Sequence, residues 1–397
     1  VRESRRGGRW LFSCLAGILF WHVATAANAG SISLDTKSIP GLNPKTPITI
    51  HTLRLTGRIE VGDADRLRAM LTRLRAARVG GTDQPLATIE LSSSGGDLLE
   101  AIKVGYLLRE FDVATLVHRG DTCLSACAIA FLGGTSSHLP PQPVASRTIE
   151  VGGRVGFHNF STDASTIRRE TRDDTEAGIA RSFGLARAGA SALLRYAADM
   201  GIEPGFVARM ITLPPDVWQF VDSNEQFLDV RACPVGLEAP LDRPEQQAVN
   251  ICNHSTGWFS SATPAQLRAM SAPQAKRHLL EHVQRNIEAF NVKGPLVAQL
   301  AAVIASRDDR LIDGVYADLR AAGLALPEPH GRDFHIDGYV VGNYQLACHV
   351  SLSLGNPDRF DVVIIGPSAL QRAFRAPPRA CPRLFRYGRE EMLNPRR

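Results

Sequence analysis

Ile89-Glu90-Leu91-Ser92-Ser93-Ser94-Gly95-Gly96-Asp97 passes from alternating apolar and polar residues into a paired-glycine turn. It predicts a strand over residues 86–92 and a turn at Gly95-Gly96. A helix over 98–110 follows, with Leu98, Ala101, Ile102 and Leu108 on its inner side. On the N-terminal side, Ile50-His51-Thr52-Leu53-Arg54-Leu55 alternates as a strand does, and Asp63 is placed to cap a helix with Leu67, Met70, Leu71 and Leu74 on one face. On the C-terminal side come a strand over 113–117, the loop Arg119-Gly120-Asp121-Thr122, and a short apolar helix over 125–132 that stops at Gly133-Gly134. A further strand is expected over 155–158. Strands alternating with helices in this way argue for an α/β sheet with right-handed crossovers.

The same segment carries chemistry. Acyl transfer needs a nucleophile, a base within reach, and backbone N–H groups aimed at the developing oxyanion. Ser125 enters a helix of small residues, Ser125-Ala126-Cys127-Ala128, so the N–H of Ala126 is a candidate oxyanion donor. Gly95 and Gly96 follow a strand directly and can turn an N–H toward the site without a side chain intervening. His158 ends the strand Val155-Gly156-Phe157 and is the candidate base. Asp216, after Pro214-Pro215, is the first choice for the orienting carboxylate and Asp222 the second. Read singly, Ser125 is an ordinary helix N-cap and His158 an ordinary core histidine. Their order gives them weight.

Residues 89–97 resemble the strand-Ser-Pro-Gly-Gly segment of the Clp protease proteolytic subunit. Cys123-Leu124-Ser125-Ala126-Cys127-Ala128 resembles its nucleophile segment, and Val155-Gly156-Phe157-His158 its histidine segment. The three motifs agree in order and approximate spacing. The resemblance implies a ClpP/crotonase-like fold over residues 49–235, of the kind found in exported ClpP-like bacterial proteins, with Ser125 as nucleophile, His158 as base, and Gly95, Gly96 and Ala126 as oxyanion donors. It implies an ATP-independent serine peptidase acting on a peptide or protein, and a homo-oligomer as one assembly. The alternative is a catalytically silent ClpP-like module that binds a peptide or protein partner. The chain departs from the family where Ser94 replaces the proline, and residues 249–371 have no counterpart in the proteolytic subunit. Acyl-CoA chemistry of the crotonase branch needs no serine, so no cofactor is expected.

Residues 1–29 read as a signal peptide: Arg2, Arg5, Arg6 and Arg9, an apolar run over 10–23, then Ala27-Asn28-Ala29 as a cleavage site. This predicts a periplasmic or secreted protein; the alternative is an uncleaved anchor in the inner membrane. The net charge of +5 hides an uneven distribution, because residues 1–29 contribute +3 and the Arg-rich tail 372–397 contributes +6, leaving −4 on the body. That balance excludes nucleic-acid binding by the body. The tail reads as a solvated segment, with contact to an anionic membrane surface as the alternative. Cys14 lies in the signal, and the six other cysteines suit disulfides in an exported chain with the pairing left open. No C-x-x-C or tight Cys/His cluster stands in the sequence, and His330, His335 and His349 show no ligand spacing, so no metal is expected. Beyond a linker at 236–248, a second α+β domain is predicted: helices over 262–323, including Leu267 and Met270, then two or three strands over 334–366.

Overall fold

The computed structural model describes residues 30–40, 48–78, 85–136, 144–159, 175–214, 216–238, 242–258, 262–285, 295–306, 308–324, 326–341, 343–356, 358–366 and 381–395. Residues 1–29, expected to be a signal peptide, and residues 239–241 and 367–380 lie outside them.

The chain is mixed α/β. Strands β1 (Ser31–Ile39) and β2 (Ile48–Thr56) pair antiparallel. Helix α1 (Asp63–Ala77) buries Leu67, Leu71 and Leu74 on one face, each worth about 1.5–3 kcal/mol once fully buried. Its cap differs from expectation. Gly62 occupies the cap position, Asp63 is the first helical residue, and Glu100 accepts from the N–H groups of Gly62 and Ala64 at 2.9 and 2.8 Å. Next come β3 (Ala87–Ser92), α2 (Leu98–Glu110) and β4 (Val113–Val117). Asp97 starts α2 sharply by accepting from Glu100 N–H.

β5 (Thr122–Leu124) leads into α3 (Ala126–Phe131), all of whose residues are buried. β6 (Thr135–Ser136) and β7 (Val144–Ala145) form a small ribbon, and β8 (Arg147–Glu150) and β9 (Arg154–Phe157) follow. Helices Thr175–Asp199 and Pro204–Thr212 precede β10 (Gln219–Phe220), helix Asn224–Asp229 and β11 (Cys233–Val235). The largest sheet runs β1-β2-β3-β4-β8-β11, parallel from β2 onward. A second sheet, β10-β9-β5, has β5 and β9 parallel and carries the loop ends where Ser125 and His158 stand.

Gly105 of α2 is where close packing leaves no room for a side chain. A Cβ there would fall 1.8 Å from the Tyr196 hydroxyl, which donates to the Ile129 carbonyl. Gly105→Ala is expected to destabilise the protein by about 1–3 kcal/mol through overpacking, read as a lower urea midpoint with an unchanged slope.

Helix Pro244–Ser255 begins inside the segment expected to be a linker, with Gln247 and Ala248 buried. Strands β12 (Leu267–Met270), β13 (Gly331–Val341), β14 (Tyr344–Ser353) and β15 (Phe360–Ile365) form an antiparallel sheet in that order. Leu267 and Met270 thus lie in a strand, not the expected helix. β14 is buried on both faces. Cys348, Val350 and Leu352 join the core that also contains Leu53, Phe227, Val249 and Phe385, whereas Ala347 meets Leu279, Leu300 and Leu319 from helices Ala272–Arg285, Pro295–Ser306 and Asp309–Ala321. One contiguous core therefore crosses the boundary expected at 236–248.

The described part of the tail is not solvated. Phe385 and Leu384 are buried, Asn224 and Asn250 donate to the carbonyls of Leu384, Phe385 and Tyr387, and Asn394 bonds both Gly152 N–H and Gly153 carbonyl. Arg389 pairs with Glu225, and Arg383 and Arg386 approach Asp358, so these cations meet the chain's own carboxylates. Three disulfides join Cys123 to Cys127, Cys233 to Cys381 and Cys252 to Cys348. No helix among the described residues is long and apolar enough to cross a membrane.

Candidate active site

The site is assembled where three chain segments run side by side. Beyond β3, Ser93 bridges to Cys123: Ser93 N–H donates to the Thr122 carbonyl at 2.7 Å and Leu124 N–H to the Ser93 carbonyl at 3.0 Å. On the other side, Gly96 bridges to Ile59. The glycine pair is thus held between Ile59 and Ser125. A Cβ on Gly95 would lie 2.7 Å from Ser125 Cβ, and one on Gly96 would lie 2.0 Å from the Ile59 carbonyl oxygen. Both glycines have positive φ, 107° and 150°, so sterics and backbone angle each require glycine.

Ser125 links β5 to α3 at φ 56° and ψ −122°, a conformation L-residues rarely adopt and one that costs about 1–3 kcal/mol. Its N–H donates to the Gly156 carbonyl at 2.9 Å, and the Cys123–Cys127 disulfide spans the turn, with Cα atoms 5.1 Å apart. The serine is thereby fixed as a sharp strand-to-helix elbow with its hydroxyl toward a cleft.

His158 follows β9. Its Nε2 lies 2.7 Å from Ser125 Oγ. β10 pairs with β9 so that Gln219 faces Phe157, and the preceding residue, Trp218, falls against the imidazole, with ring centroids 4.4 Å apart. Burial holds the His158 pKa below its ordinary value, with the Asn159 backbone acting in the opposite direction. The neutral imidazole is the form that accepts a proton from Oγ.

Two of the sequence expectations need correction. Gly95 N–H donates to Ser93 Oγ at 3.1 Å, so Gly95 shapes the turn and does not face an oxyanion. The N–H groups of Gly96 and Ala126 have no hydrogen-bond partner among the described residues, and both residues line the cleft with Ser125 and His158. Asp216 is exposed in the turn before β10, and no hydrogen bond or ion pair joins it to His158. Asp222, the second choice, is buried just beyond β10, and its backbone carbonyl accepts from Leu393 and Asn394. Among the described residues no hydrogen bond from a carboxylate to His158 is found, which leaves Ser125 and His158 as a candidate dyad.

The cleft measures about 700 Å³ and is walled also by Arg58, Glu60, Val61, Leu98 and Trp218. Trp218 was not singled out from sequence; its signal is the alternation Trp218-Gln219-Phe220 following a Pro-Pro break. No protein-family model matches the chain, and a search of curated proteins gives no significant match.

Proposed function

We propose that the chain is a serine hydrolase of ClpP/crotonase-like type that cleaves peptide or protein substrates outside the cytoplasm without ATP. The observation that carries this reading is the 2.7 Å contact between His158 Nε2 and Ser125 Oγ, made at a backbone elbow flanked by two unengaged N–H groups. Oγ attacks the scissile carbonyl as Nε2 takes its proton. The carbonyl oxygen becomes an oxyanion facing the N–H groups of Gly96 and Ala126. The tetrahedral species then expels the amine, which leaves with the proton held on His158, and an acyl-Ser125 ester remains. Water, deprotonated by His158, hydrolyses that ester and restores the serine.

Three disulfides fit an oxidising compartment. Turnover of fluorogenic peptide and ester substrates by the purified chain without nucleotide tests the proposal; turnover unchanged by loss of Ser125 refutes it. The absence of a carboxylate bond to His158 among the described residues favours a second reading, a silent module that holds a peptide in the cleft, for which peptides bind and none is cleaved.

Protonated His158 cannot act as base, and its pKa lies below the ordinary histidine value of 6.5 because of burial. The acid limb of the acylation rate is therefore expected to be centred below pH 6.5. A pH–rate profile with its acid limb centred at or above 6.5 would contradict this.

A further inference from the structure

We propose that His278, His282, His335 and Asp337 form a binding site for a divalent transition-metal ion, with Zn²⁺ the best match, that fastens helix Ala272–Arg285 to strand β13. His278 and His282 stand one turn apart on that helix and so share a face. His335 and Asp337 lie two apart on β13. The four donor atoms fall within 4.8 Å of one another: His278 Nε2 to His282 Nε2 is 3.1 Å, His335 Nε2 to Asp337 Oδ1 is 2.9 Å, and His282 Nε2 to Asp337 Oδ1 is 3.7 Å. A tetrahedral Zn²⁺ with ordinary ligand distances spaces its donors about 3.3 Å apart. The observed separations bracket that edge, and closing round an ion takes movements on the order of an ångström.

Chemistry agrees with geometry. Imidazole with a carboxylate suits Zn²⁺ and its transition-metal neighbours, and the absence of thiolate makes softer ions a poorer match. The surroundings resemble an outer ligand shell. Asp337 divides its oxygens, Oδ1 toward the histidines and Oδ2 toward Arg268 Nη2 at 2.8 Å, while His278 Nδ1 faces Glu281 at 3.8 Å. Arg268 Nη2 also comes within 3.4 Å of His278 Nε2; an ion takes that contact and leaves Arg268 its carboxylate. His335 is fully buried, a position an apolar side chain would fill better were its imidazole unused. Four protein donors complete a tetrahedron, so the site is structural and leaves no position for substrate. The sequence signal is the His-x₃-His spacing of 278 and 282, whereas the expectation of no metal rests on the lack of a C-x-x-C or tight Cys/His cluster.

The test uses the full chain stripped with a chelator and titrated with Zn²⁺ against a chromophoric competitor, and separately with Co²⁺ followed by visible absorption. One equivalent of Zn²⁺ per chain, a four-coordinate Co²⁺ spectrum and a metal-dependent rise in melting temperature are expected. His282→Ala should weaken Zn²⁺ binding by at least about 100-fold and Asp337→Asn by about 10-fold or more. Asp337 lies at the exposed rim, so its variant carries the test if His282→Ala fails to fold. Absence of stoichiometric binding, or binding changed less than threefold by the folded variants, overturns the proposal.

Discussion

Ser125→Ala is expected to lower kcat/KM on a peptide or ester substrate by about 10⁴-fold or more, to the level left by the oxyanion donors and binding alone. The expectation follows from position. Ser125 Oγ is the hydroxyl 2.7 Å from an imidazole at this cleft, and its strained backbone is held by the Gly156 carbonyl bond and the Cys123–Cys127 bridge. Alanine retains those restraints and removes only the nucleophile. The protein should therefore fold normally and still bind substrate, with KM little changed while kcat falls. Steady-state kinetics on matched preparations, with circular dichroism as the fold control, separates these terms.

His158→Gln is expected to cost about 10²–10⁴-fold in acylation rate. Glutamine fills comparable space against Trp218 but cannot take the Oγ proton and hold it for the leaving amine. Because the two residues act as one unit, the double variant Ser125→Ala, His158→Gln should be no slower than Ser125→Ala alone. The dyad lacks a carboxylate bond to His158 among the described residues, and the imidazole is instead positioned by Trp218 at 4.4 Å. Asp216→Asn should consequently leave the rate within about twofold, by the ordinary size of exposed-charge effects. Rates from pre-steady-state release of a chromophoric leaving group report each case.

The N-terminal α/β elements were legible in sequence wherever local signals agreed. Gly95-Gly96 and the Asp97 cap set the start of α2, and Gly133-Gly134 set the end of α3, so both helices fall where their punctuation places them. Ser125 is read from sequence at a loop-to-helix entry and His158 at a strand end, and the parallel pairing of β9 with β5, a strand not expected over 122–124, carries both to one side. What was hidden depended on long-range contact. β1 is an exposed edge strand whose residues show almost no burial contrast, so its pairing with β2 left little pattern to read. Leu267 and Met270, three apart, fit a helical face equally well until β13 pairs with them. Arginine content made the tail look solvated, whereas Cys381 reaches Cys233 across 148 positions and Asn394 closes on Gly152 and Gly153. The expectation of Asp216 as the orienting carboxylate rests on a Pro-Pro break, and turn composition does not determine where a side chain points.

The proposed reaction requires Ser125 to be an activated nucleophile, and peptide mapping by mass spectrometry after fluorophosphonate treatment of the folded protein tests that most directly. A single adduct on the peptide containing Ser125, absent after prior heat denaturation and strongly slowed in His158→Gln, is the predicted result. Recovery of Ser125 unmodified from folded protein, with or without an adduct elsewhere, would contradict it.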